Sequence, residues 1–476
     1  MGEIIRELRK KRGLSQRALG ERIGVSNRAV SKWESGLCRP ALGSLAALAR
    51  VLGVPMERLL PGGTPIGSPS SAIEGEPGME SLFELYRIGR GPSSSHTMGP
   101  ERAALAFSQK HPDADSFLAI LYGSLAKTGR GHGTDRVLVR TLAPKPCEVR
   151  FLTDAGVLPH ENTMDLFAYH NGQELGHSRV MSVGGGRIVW EGDPTSVPPR
   201  VYPLSTFDGI AAVCRAEGLR LWQYAEAIEG DGLFPMLRAV WRAMCECIER
   251  GLGASGVLPG GLDVLRRARK LYSRTHIDET PETRENREVC AYAFAVGEEN
   301  AAGGTVVTAP TCGAAGVLPA VLYYEQKKRG LGEERILRAL ATGGLVGNLI
   351  KTRASISGAE CGCQAEIGSA CAMAAAALGE LFGLGLDEIE YAAEIAIEHH
   401  LGLTCDPIGG LVQIPCIERN AVAAMRAKNA VNLSSFLSDS RKLSLDQVIQ
   451  TMKKTGRDID PAYRETSEGG LARLGL

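Results

Sequence analysis

Three cysteines in the C-terminal part of the chain, Cys363, Cys405 and Cys416, lie in glycine- and proline-rich segments. Cysteine thiolates are the usual protein ligands of iron–sulfur clusters. If these three held a four-iron cluster, one iron would lack a protein sulfur and would be free to act on a substrate as a Lewis acid. The three cysteines therefore predict an enzyme with a metal centre.

The chain has twelve cysteines, so the choice of ligands rests on local sequence. Cys363 follows a glycine, and the other two candidates bound a loop with proline and glycine whose backbone amides can point at sulfur. Cys371 lies in an alanine-rich stretch and is expected in the core. Cys312 and Cys361 also lie in glycine-rich segments, and they remain rival ligands.

Three histidine segments provide candidate bases. Residues 89–100 place three serines, His96 and a threonine between Gly-Pro pairs, ahead of a helical pattern. Hydroxyls and amides arranged in this way suit an anion such as a carboxylate, although a polar cap and turn is an equal alternative. His132 lies between two glycines and can approach a ligand closely, so it is the first candidate for a general base, ahead of His96 and His160.

Length and composition indicate several domains in a soluble protein. At 476 residues with 44% hydrophobic residues, the chain can form about three domains. It shows no leader segment and no apolar run long enough to span a bilayer, so we expect a cytoplasmic protein. Cysteines scattered through such a chain indicate reduced thiols and a metal or cluster site rather than a disulfide framework.

The first 64 residues differ from the rest in charge and pattern. They carry a net charge of +7 against −7 for the remainder, which favours a polyanionic partner for this end of the chain. Apolar residues recur there at helical spacing, Ser15 and Ser26 can cap two helices, and Gly24 separates these helices. Two short helices joined by a glycine turn predict a helix-turn-helix.

Residues 14–36 resemble the Cro-type helix-turn-helix family of phage repressors, and the likeness covers about the first 60 residues. It implies that Gln16 clamps the second helix to the DNA backbone, with residues 9–12 near the phosphates. The recognition-helix residues that would face the major groove are Ser26, Asn27, Arg28, Ser31 and Lys32. A small helical bundle with a solvated basic face is the alternative. Repressors of this type bind double-stranded DNA as dimers, so a homodimer is expected.

The remaining pattern predicts a multidomain protein: an all-α helix-turn-helix domain over 1–64, a flexible linker over 65–79, an α+β domain over 80–203 and a mostly α-helical cluster-binding domain over 204–476. Within the α+β domain, the β-rich pieces are residues 136–142, 147–152 and 187–190.

Seven short motifs extend in order from about residue 81 to the end. They cover residues 93–97, 131–135, 308–316, 354–360, 362–366, 405–416 and 463–471. Together they resemble the iron–sulfur L-serine dehydratase (L-serine ammonia-lyase) family, with its β-type part (80–203) and α-type part (204–476) fused in one chain. The resemblance implies a 4Fe-4S cluster held by Cys363, Cys405 and Cys416.

The reaction implied by this resemblance removes water from L-serine to give aminoacrylate, which becomes pyruvate and ammonia. An iron with an open site would bind the hydroxyl, while a histidine takes the α-proton, and we expect His132 to do so with His96 and His160 behind it. The side chains expected to hold the substrate are Ser93, Ser95, Thr97, Lys351, Ser355 and Ser357.

Several alternatives remain open from sequence. A pyridoxal phosphate enzyme would need a lysine beside a recognisable cofactor loop, which Lys351 lacks. The same cluster could act on L-cysteine or L-threonine, or the enzyme-like part could serve a transcription regulator that senses serine or the cluster. Some family members end in a cysteine that reaches the fourth iron. Because this sequence ends in Arg-Leu-Gly-Leu, we expect water or another residue there.

Overall fold

The computed structural model describes residues 2–38, 40, 42–52, 54, 78–154, 156–193, 198–275 and 277–474. These residues form two compact units, Met1–Ser81 with Pro199–Leu233, and Leu82–Pro198 with Phe234–Leu476. The predicted linker lies outside the described residues except for its last two, and the bounds of the four predicted segments stay predictions. Among the helices that the structure describes, none combines the length and apolar character needed to cross a bilayer.

Helices predominate, and the strands lie between residues 79 and 202, with one more at 305–307. The helices are α1 (Gly2–Lys11), α2 (Gln16–Ile23), α3 (Asn27–Glu34), α4 (Leu42–Leu52), α5 (Gly99–Lys110), α6 (Gly123–Thr128), α7 (Thr134–Leu142), α8 (Phe207–Glu217), α9 (Leu221–Glu229), α10 (Leu233–Gly253), α11 (Ala268–Ser273), α12 (Pro281–Ala301), α13 (Val317–Arg329), α14 (Glu333–Arg353), α15 (Gly358–Cys361), α16 (Ser369–Leu381), α17 (Leu386–Glu398), α18 (Cys416–Leu437) and α19 (Leu445–Asp458). The strands are β1 (Met79–Glu80), β2 (Ile88–Arg90), β3 (Ser116–Tyr122), β4 (Cys147–Leu152), β5 (Thr163–His170), β6 (Gln173–Ser182), β7 (Ile188–Trp190), β8 (Arg200–Tyr202) and β9 (Thr305–Val307). The protein is thus multidomain and rich in helix, with a mixed sheet.

The first unit contains the predicted helix-turn-helix, and its helix ends follow the local sequence. The hydroxyl of Ser15 accepts a hydrogen bond from the amide of Ala18, and that of Ser26 accepts one from Ala29. Between these two helices Gly24 adopts a left-handed conformation with φ of 73°, which costs glycine little. Both predicted caps and the predicted turn are confirmed.

A buried polar cluster ties α1, α2 and α3 together. Glu34 has a side chain that is only 1% exposed, and it accepts hydrogen bonds from the Arg9 guanidinium and from Nε2 of Gln16. Burial alone would raise the pKa of Glu34, but the hydrogen bonds from Arg9 and Gln16 lower it. The expectation that Arg9 contacts phosphate is wrong, because its guanidinium is held by Glu34.

The second unit contains a five-stranded sheet in the order β4-β3-β5-β6-β7. β3 and β4 are parallel, and the other neighbours are antiparallel. The core on this sheet joins Phe107 of α5 and Leu138 of α7 to Phe117 and Leu166 from the strands. The predicted strands over 147–152 and 187–190 correspond to β4 and β7.

The predicted β-rich piece over 136–142 is wrong, because those residues lie in α7. Leu138 and Leu142 are four residues apart, and both are buried in the core of the sheet, whereas Val139 is 46% exposed. This spacing gives a helix one apolar face, and that burial outweighs the β-propensity of the valines and threonine.

The alanine-rich helix α16 is buried along its whole length. Small residues allow its neighbour α14 to approach closely. A Cβ added to Gly343 would lie 2.7 Å from the carbonyl oxygen of Met373, and one at Gly347 would lie 2.6 Å from Sδ of the same residue. The two helices therefore form a dense scaffold behind the segment that carries Cys363.

Two backbone pairings bring distant motifs together. β2 pairs with β9 in antiparallel register, from Ile88 opposite Val307 to Arg90 opposite Thr305, and so joins the His96 segment to the helical part. Cys405 forms an isolated parallel bridge with Arg464 and accepts a hydrogen bond from the amide of Glu465. The C-terminal motif is thereby held beside one of the three cysteines.

Candidate active site

The His96 segment is a π-helical turn over Ser94–Met98 that runs directly into α5. The hydroxyl of Ser93 accepts a hydrogen bond from the amide of His96 at 3.1 Å and caps this turn. π-Helical turns are rare and are often found at functional sites. The hydrogen bond from the amide of His96 to Ser93 confirms the polar cap.

Hydrogen bonds fix the tautomer of His96, whose side chain is fully buried. Ser124 donates its only hydroxyl hydrogen to the carbonyl oxygen of Glu465 at 3.1 Å, so it must accept from Nε2 of His96 at 3.0 Å. Nδ1 of His96 is then an acceptor, and Ser95 lies 2.9 Å from it. Burial, followed by the nearby His132, lowers the pKa of His96 well below its usual value.

His132 is held in the opposite tautomer. Its Nδ1 lies 3.1 Å from the carbonyl oxygen of Thr128, which can only accept, so Nδ1 carries the hydrogen. The hydroxyl of Thr97 also donates to the carbonyl oxygen of His132. Burial lowers the pKa of His132 to about 4 against the raising effect of the Thr128 hydrogen bond. At neutral pH, Nε2 of His132 is therefore an unprotonated base.

Glu465 lies between the two histidines. Their ring centroids are 4.4 Å apart, and Oε1 of Glu465 is 3.4 Å from Nδ1 of His96 and 3.8 Å from Nε2 of His132. Both facing nitrogens are acceptors. Burial, then the charges of Glu366 and Cys363, raise the pKa of Glu465 well above its usual value. A protonated carboxyl here can direct its hydrogen toward Nδ1 of His96, the nearer of the two nitrogens, which leaves Nε2 of His132 unprotonated.

The three candidate cysteines share one cavity with His132. The cavity has a volume of about 390 Å³, and we call it the reaction cavity. Its lining comprises Pro92, Ser93, His132, Gly313, Cys363, Glu366, Ile367, Cys405, Pro407, Val412, Cys416 and Glu465. A histidine, a serine hydroxyl, two carboxyls and three thiols thus face the same small volume.

This cavity concentrates acidic groups. A hydrogen bond with Cys363 and burial raise the pKa of Cys405 well above its usual value, and burial followed by Cys363 raises that of Cys416. Burial alone would lower the pKa of the nearby Arg419, but Cys363 and Cys416 raise it. Arg419 is already held by the carbonyl oxygen of Thr404 at 2.7 Å. Ionising these thiols and carboxyls together would need more positive charge than one guanidinium supplies, so the donors favour a bound cation.

The geometry fits a metal group. The ligand atoms of Cys363, Glu366 and Cys405 lie within 4.8 Å of one another, and they face a glycine. A Cβ added to Gly358 would lie 2.9 Å from Oε2 of Glu366, 3.2 Å from Sγ of Cys405 and 3.4 Å from Oε2 of Glu465. Sulfur and carboxylate donors converging on one point, with soft thiolates in the majority, are compatible with a metal cluster.

The rival cysteines lie elsewhere. Sγ of Cys312 is 3.8 Å from Sδ of Met98, and Sγ of Cys371 is 3.3 Å from the carbonyl oxygen of Ala423. Cys361 packs against Gly456 of α19. None of the three is among the residues that line the reaction cavity, so the geometry favours Cys363, Cys405 and Cys416 as the ligands.

The structure does not bring every predicted substrate residue to this cavity. Lys351 donates to the carbonyl oxygen of Glu84 at 3.1 Å, and Ser355 donates to the carboxylate of Glu360. The buried hydroxyl of Ser357 has no hydrogen-bond partner among the described residues. Nε2 of His160 lies 3.3 Å from the same Glu360. These four side chains lie outside the lining, whereas Ser93 is part of it.

The predicted DNA-contacting residues of α3 are displayed on its surface. The side chains on this face are exposed: Ser26, Asn27, Arg28, Ser31 and Lys32. The opposite face packs Val30 and Trp33 into the core of the unit. Gln16 is half-buried, with Nε2 donating to Glu34 at 2.8 Å, so Glu34 fixes the orientation of its amide.

Sequence reasoning missed two residues at this site. Arg419 lies three residues after Cys416 on α18, and this spacing on one helix face was a usable signal. Glu465 lies in a recognised motif but received no role. Its φ of 58° is unusual for a residue other than glycine, and local sequence does not indicate it.

Gly131 allows two loops of the site to touch, which leads to a prediction. A Cβ at this position would lie 2.8 Å from the carbonyl oxygen of Gly409 and 2.9 Å from that of Gly410. We expect Gly131→Ala to separate His132 from the segment between Cys405 and Cys416, and to lower bound metal and catalytic turnover by about 10-fold or more. Metal content by elemental analysis and steady-state kinetics measure these effects.

Gly253→Ala is the matched control, because nothing lies within 4 Å of its added Cβ. Equal behaviour of the two variants would contradict the close approach at Gly131. Hydrogen exchange across α12 and α16 checks that the scaffold of the second unit is intact in both variants.

Comparison with family models assigns the three parts of the chain. Residues 210–472 match the model "serine dehydratase alpha chain", residues 81–150 match "serine dehydratase beta chain", and residues 5–59 match "helix-turn-helix". The first of these covers more than half of the chain.

Curated relatives match over nearly their whole length. An L-serine dehydratase of Streptomyces coelicolor is 42% identical over 451 residues, which cover 82% of this chain and 98% of the relative. The L-serine dehydratase TdcG of Escherichia coli is 42% identical, covering 83% and 99%. The L-serine dehydratase of Helicobacter pylori is 35% identical, covering 83% and 98%.

Proposed function

The chain belongs to the serine dehydratase family, and on that premise we propose that it converts L-serine to pyruvate and ammonia. The observation that carries the proposal is the reaction cavity, where His132 faces the same volume as Cys363, Cys405 and Cys416. Elimination of water from serine needs a base for the α-proton and an electrophile for the hydroxyl. His132 can serve as the base, and the three cysteines would hold the metal group that supplies the electrophile.

A 4Fe-4S cluster is the cofactor we propose, held by Cys363, Cys405 and Cys416. When bound, it supplies an iron without a protein thiolate, which acts as a Lewis acid toward the leaving hydroxyl. Arg419 lies beside two of the thiolates and offsets part of their negative charge. Glu366 also faces this group and is a candidate for the remaining coordination position.

His132 takes the α-proton in this proposal. Its Nδ1–H is donated to Thr128, so the lone pair of Nε2 is directed to the reaction cavity. The low pKa of the buried ring keeps it neutral at physiological pH, although it also limits the basicity.

The other predicted residues have supporting duties. His96 is hydrogen-bonded through both ring nitrogens and orients Glu465 rather than the substrate. Ser93 reaches the cavity and is the serine we assign to the substrate carboxylate. Ser95 and Thr97 position the two histidines. We propose His160 as a further catalytic residue and Lys351, Ser355 and Ser357 as further substrate-binding residues, and these roles require the site to close on binding.

Anaerobic purification with a fully loaded cluster, followed by measurement of pyruvate from L-serine, tests the enzyme proposal. L-Threonine and L-cysteine are the competing substrates, and the ratio of their kcat/KM values to that of L-serine ranks them. Absence of turnover on all three with a loaded cluster would overturn the lyase and leave a regulator that senses serine or the cluster.

A second function is sequence-selective binding of double-stranded DNA by α3. The observation that favours it is the set of exposed polar side chains at the N-terminal end of a capped helix in a unit with positive charge. We further propose that the protein acts as a cytoplasmic homodimer, because two such helices then read paired half-sites.

The DNA proposal predicts a selective defect. Replacing Arg28 by alanine should weaken binding to a selected operator by about 10-fold and leave non-specific binding and serine turnover unchanged, since a base contact is worth about 1–3 kcal/mol. Operator sequences come from in vitro selection with the full chain, and titrations at two salt concentrations separate the two binding modes.

Arg17→Ala is the matched control. Arg17 is an exposed residue of α2 that pairs with Glu21, and its substitution removes the same charge from the same unit. If both variants lose affinity equally for operator and random DNA, α3 contributes charge alone and the proposal of base recognition fails.

A further inference from the structure

A second cavity of about 780 Å³ adjoins the reaction cavity. Pro92, His132 and Val412 line both, so the two meet at the side chain of the proposed base. We call the second cavity the vestibule and define it by Arg90, Arg136, Arg140 and Gln413 together with those shared residues.

The charged side chains that line the vestibule are all positive. Its charged lining residues are Arg90, Arg136 and Arg140, and no aspartate or glutamate is part of the lining. Arg140 lies 3.6 Å from Glu101, an exposed pair of small energetic value. Among the described residues, Arg90 and Arg136 have no carboxylate within ion-pair distance. A concave surface with three guanidinium groups attracts small anions, and carboxylates match their geometry.

Gln413 provides an independent observation. It is 1% exposed, and its Nε2 donates to the carbonyl oxygen of Pro259 at 2.6 Å. This bond fixes the amide orientation, because a flipped amide would place Oε1 of Gln413 against the carbonyl oxygen of Pro259, and both are acceptors. Oε1 of Gln413 is buried without a hydrogen-bond partner among the described residues. Because Gln413 lines the vestibule, this oxygen is available to an N–H or O–H donor of a ligand.

We infer that the vestibule is an outer binding site for small α-carboxylates, with the carboxylate on the arginines and an ammonium or hydroxyl donated to Oε1 of Gln413. The inference rests on the proposed function for the identity of the ligands, which are the amino acid substrate and the 2-oxo acid product. L-Serine satisfies both halves of the site. Pyruvate satisfies only the arginines, since it has no donor.

The test uses full-length, cluster-loaded protein and the double variant Arg136→Gln/Arg140→Gln, whose exposed positions tolerate substitution. Pyruvate is the probe for binding by anaerobic calorimetry, because it is not turned over. We expect its Kd to rise about 10-fold in the double variant and kcat/KM for L-serine to fall by a similar factor, with kcat and iron content little changed. Added salt should reduce the difference.

Two further variants complete the design. Arg242→Gln removes an exposed arginine outside the vestibule and should leave both quantities unchanged. Gln413→Met should raise KM for L-serine by several-fold and leave the Kd of pyruvate unchanged, because only serine donates to Oε1. A rise in the Kd of pyruvate with Gln413→Met would contradict the assignment of Oε1 to a donor.

An unchanged Kd for pyruvate in the arginine double variant overturns the outer site. Because this Kd is measured without turnover, it separates the outer-site proposal from the enzyme proposal. If pyruvate binding depends on the arginines but the protein does not dehydrate serine, the outer site is supported and the enzyme proposal is overturned. If the protein turns over L-serine but the Kd of pyruvate does not depend on the arginines, the enzyme proposal is supported and the outer site is overturned.

Discussion

His132→Asn should lower the rate of pyruvate formation from L-serine by about 10²- to 10⁴-fold while the cluster content stays at the wild-type level. Asparagine retains an N–H close to the position of Nδ1, so the hydrogen bond to the carbonyl oxygen of Thr128 can survive. It lacks Nε2, which is the base that we propose. Steady-state kinetics with iron and sulfide determination measure both quantities.

The wild-type pH profile follows from the same residue. Burial lowers the pKa of His132 to about 4, below the usual 6.5 or so of histidine. The base is protonated and inactive only below its own pKa. We therefore expect kcat/KM to stay level through pH 6.5 and to fall as the pH approaches about 4, provided that the cluster content is constant over the range.

His160→Asn is the matched control, since His160 is bonded to Glu360 and lies outside the reaction cavity. We expect at most a several-fold effect. If this variant loses as much activity as His132→Asn, or if His132→Asn retains turnover, the assignment of the base is wrong.

The second large effect concerns the cluster. Cys405→Ala should remove most bound iron and sulfide and reduce turnover by more than about 100-fold, because even groups that only support a metal ligand change affinity by 10–100-fold. The backbone of Cys405 holds the C-terminal motif through Tyr463 and Glu465, and those bonds do not involve the side chain. Elemental analysis and visible absorbance of protein reconstituted without oxygen provide the measurement.

The rival cysteines serve as controls in the same experiment. Cys312 and Cys361 are buried but lie outside the reaction cavity, so Cys312→Ala and Cys361→Ala should retain the cluster. Loss of iron in either control with retention in Cys405→Ala would replace the proposed ligand set. Differential scanning calorimetry distinguishes loss of ligand from loss of fold.

Local sequence determined the features that depend on near neighbours. The serine caps and the glycine turn of the helix-turn-helix follow from hydrogen bonds three residues apart, at Ser15 and Ser26. β4 follows from alternation within six residues. The secondary structure of residues 136–142 was predicted wrongly. The pattern of a short valine-rich segment fits both a helix and a strand, and the face that packs on the sheet decides between them.

The motifs also indicated which residue types would do chemistry, and their order along the chain identified the kind of enzyme. What only the tertiary structure decided is which of these residues meet. Cys363, Cys405 and Cys416 share a cavity with His132, whereas Cys312 and Cys361 do not. Glu465 reaches the histidines through a backbone bridge to Cys405 and a left-handed turn. Such contacts join segments far apart in sequence, and their geometry depends on the packing of whole helices and sheets rather than on local preference.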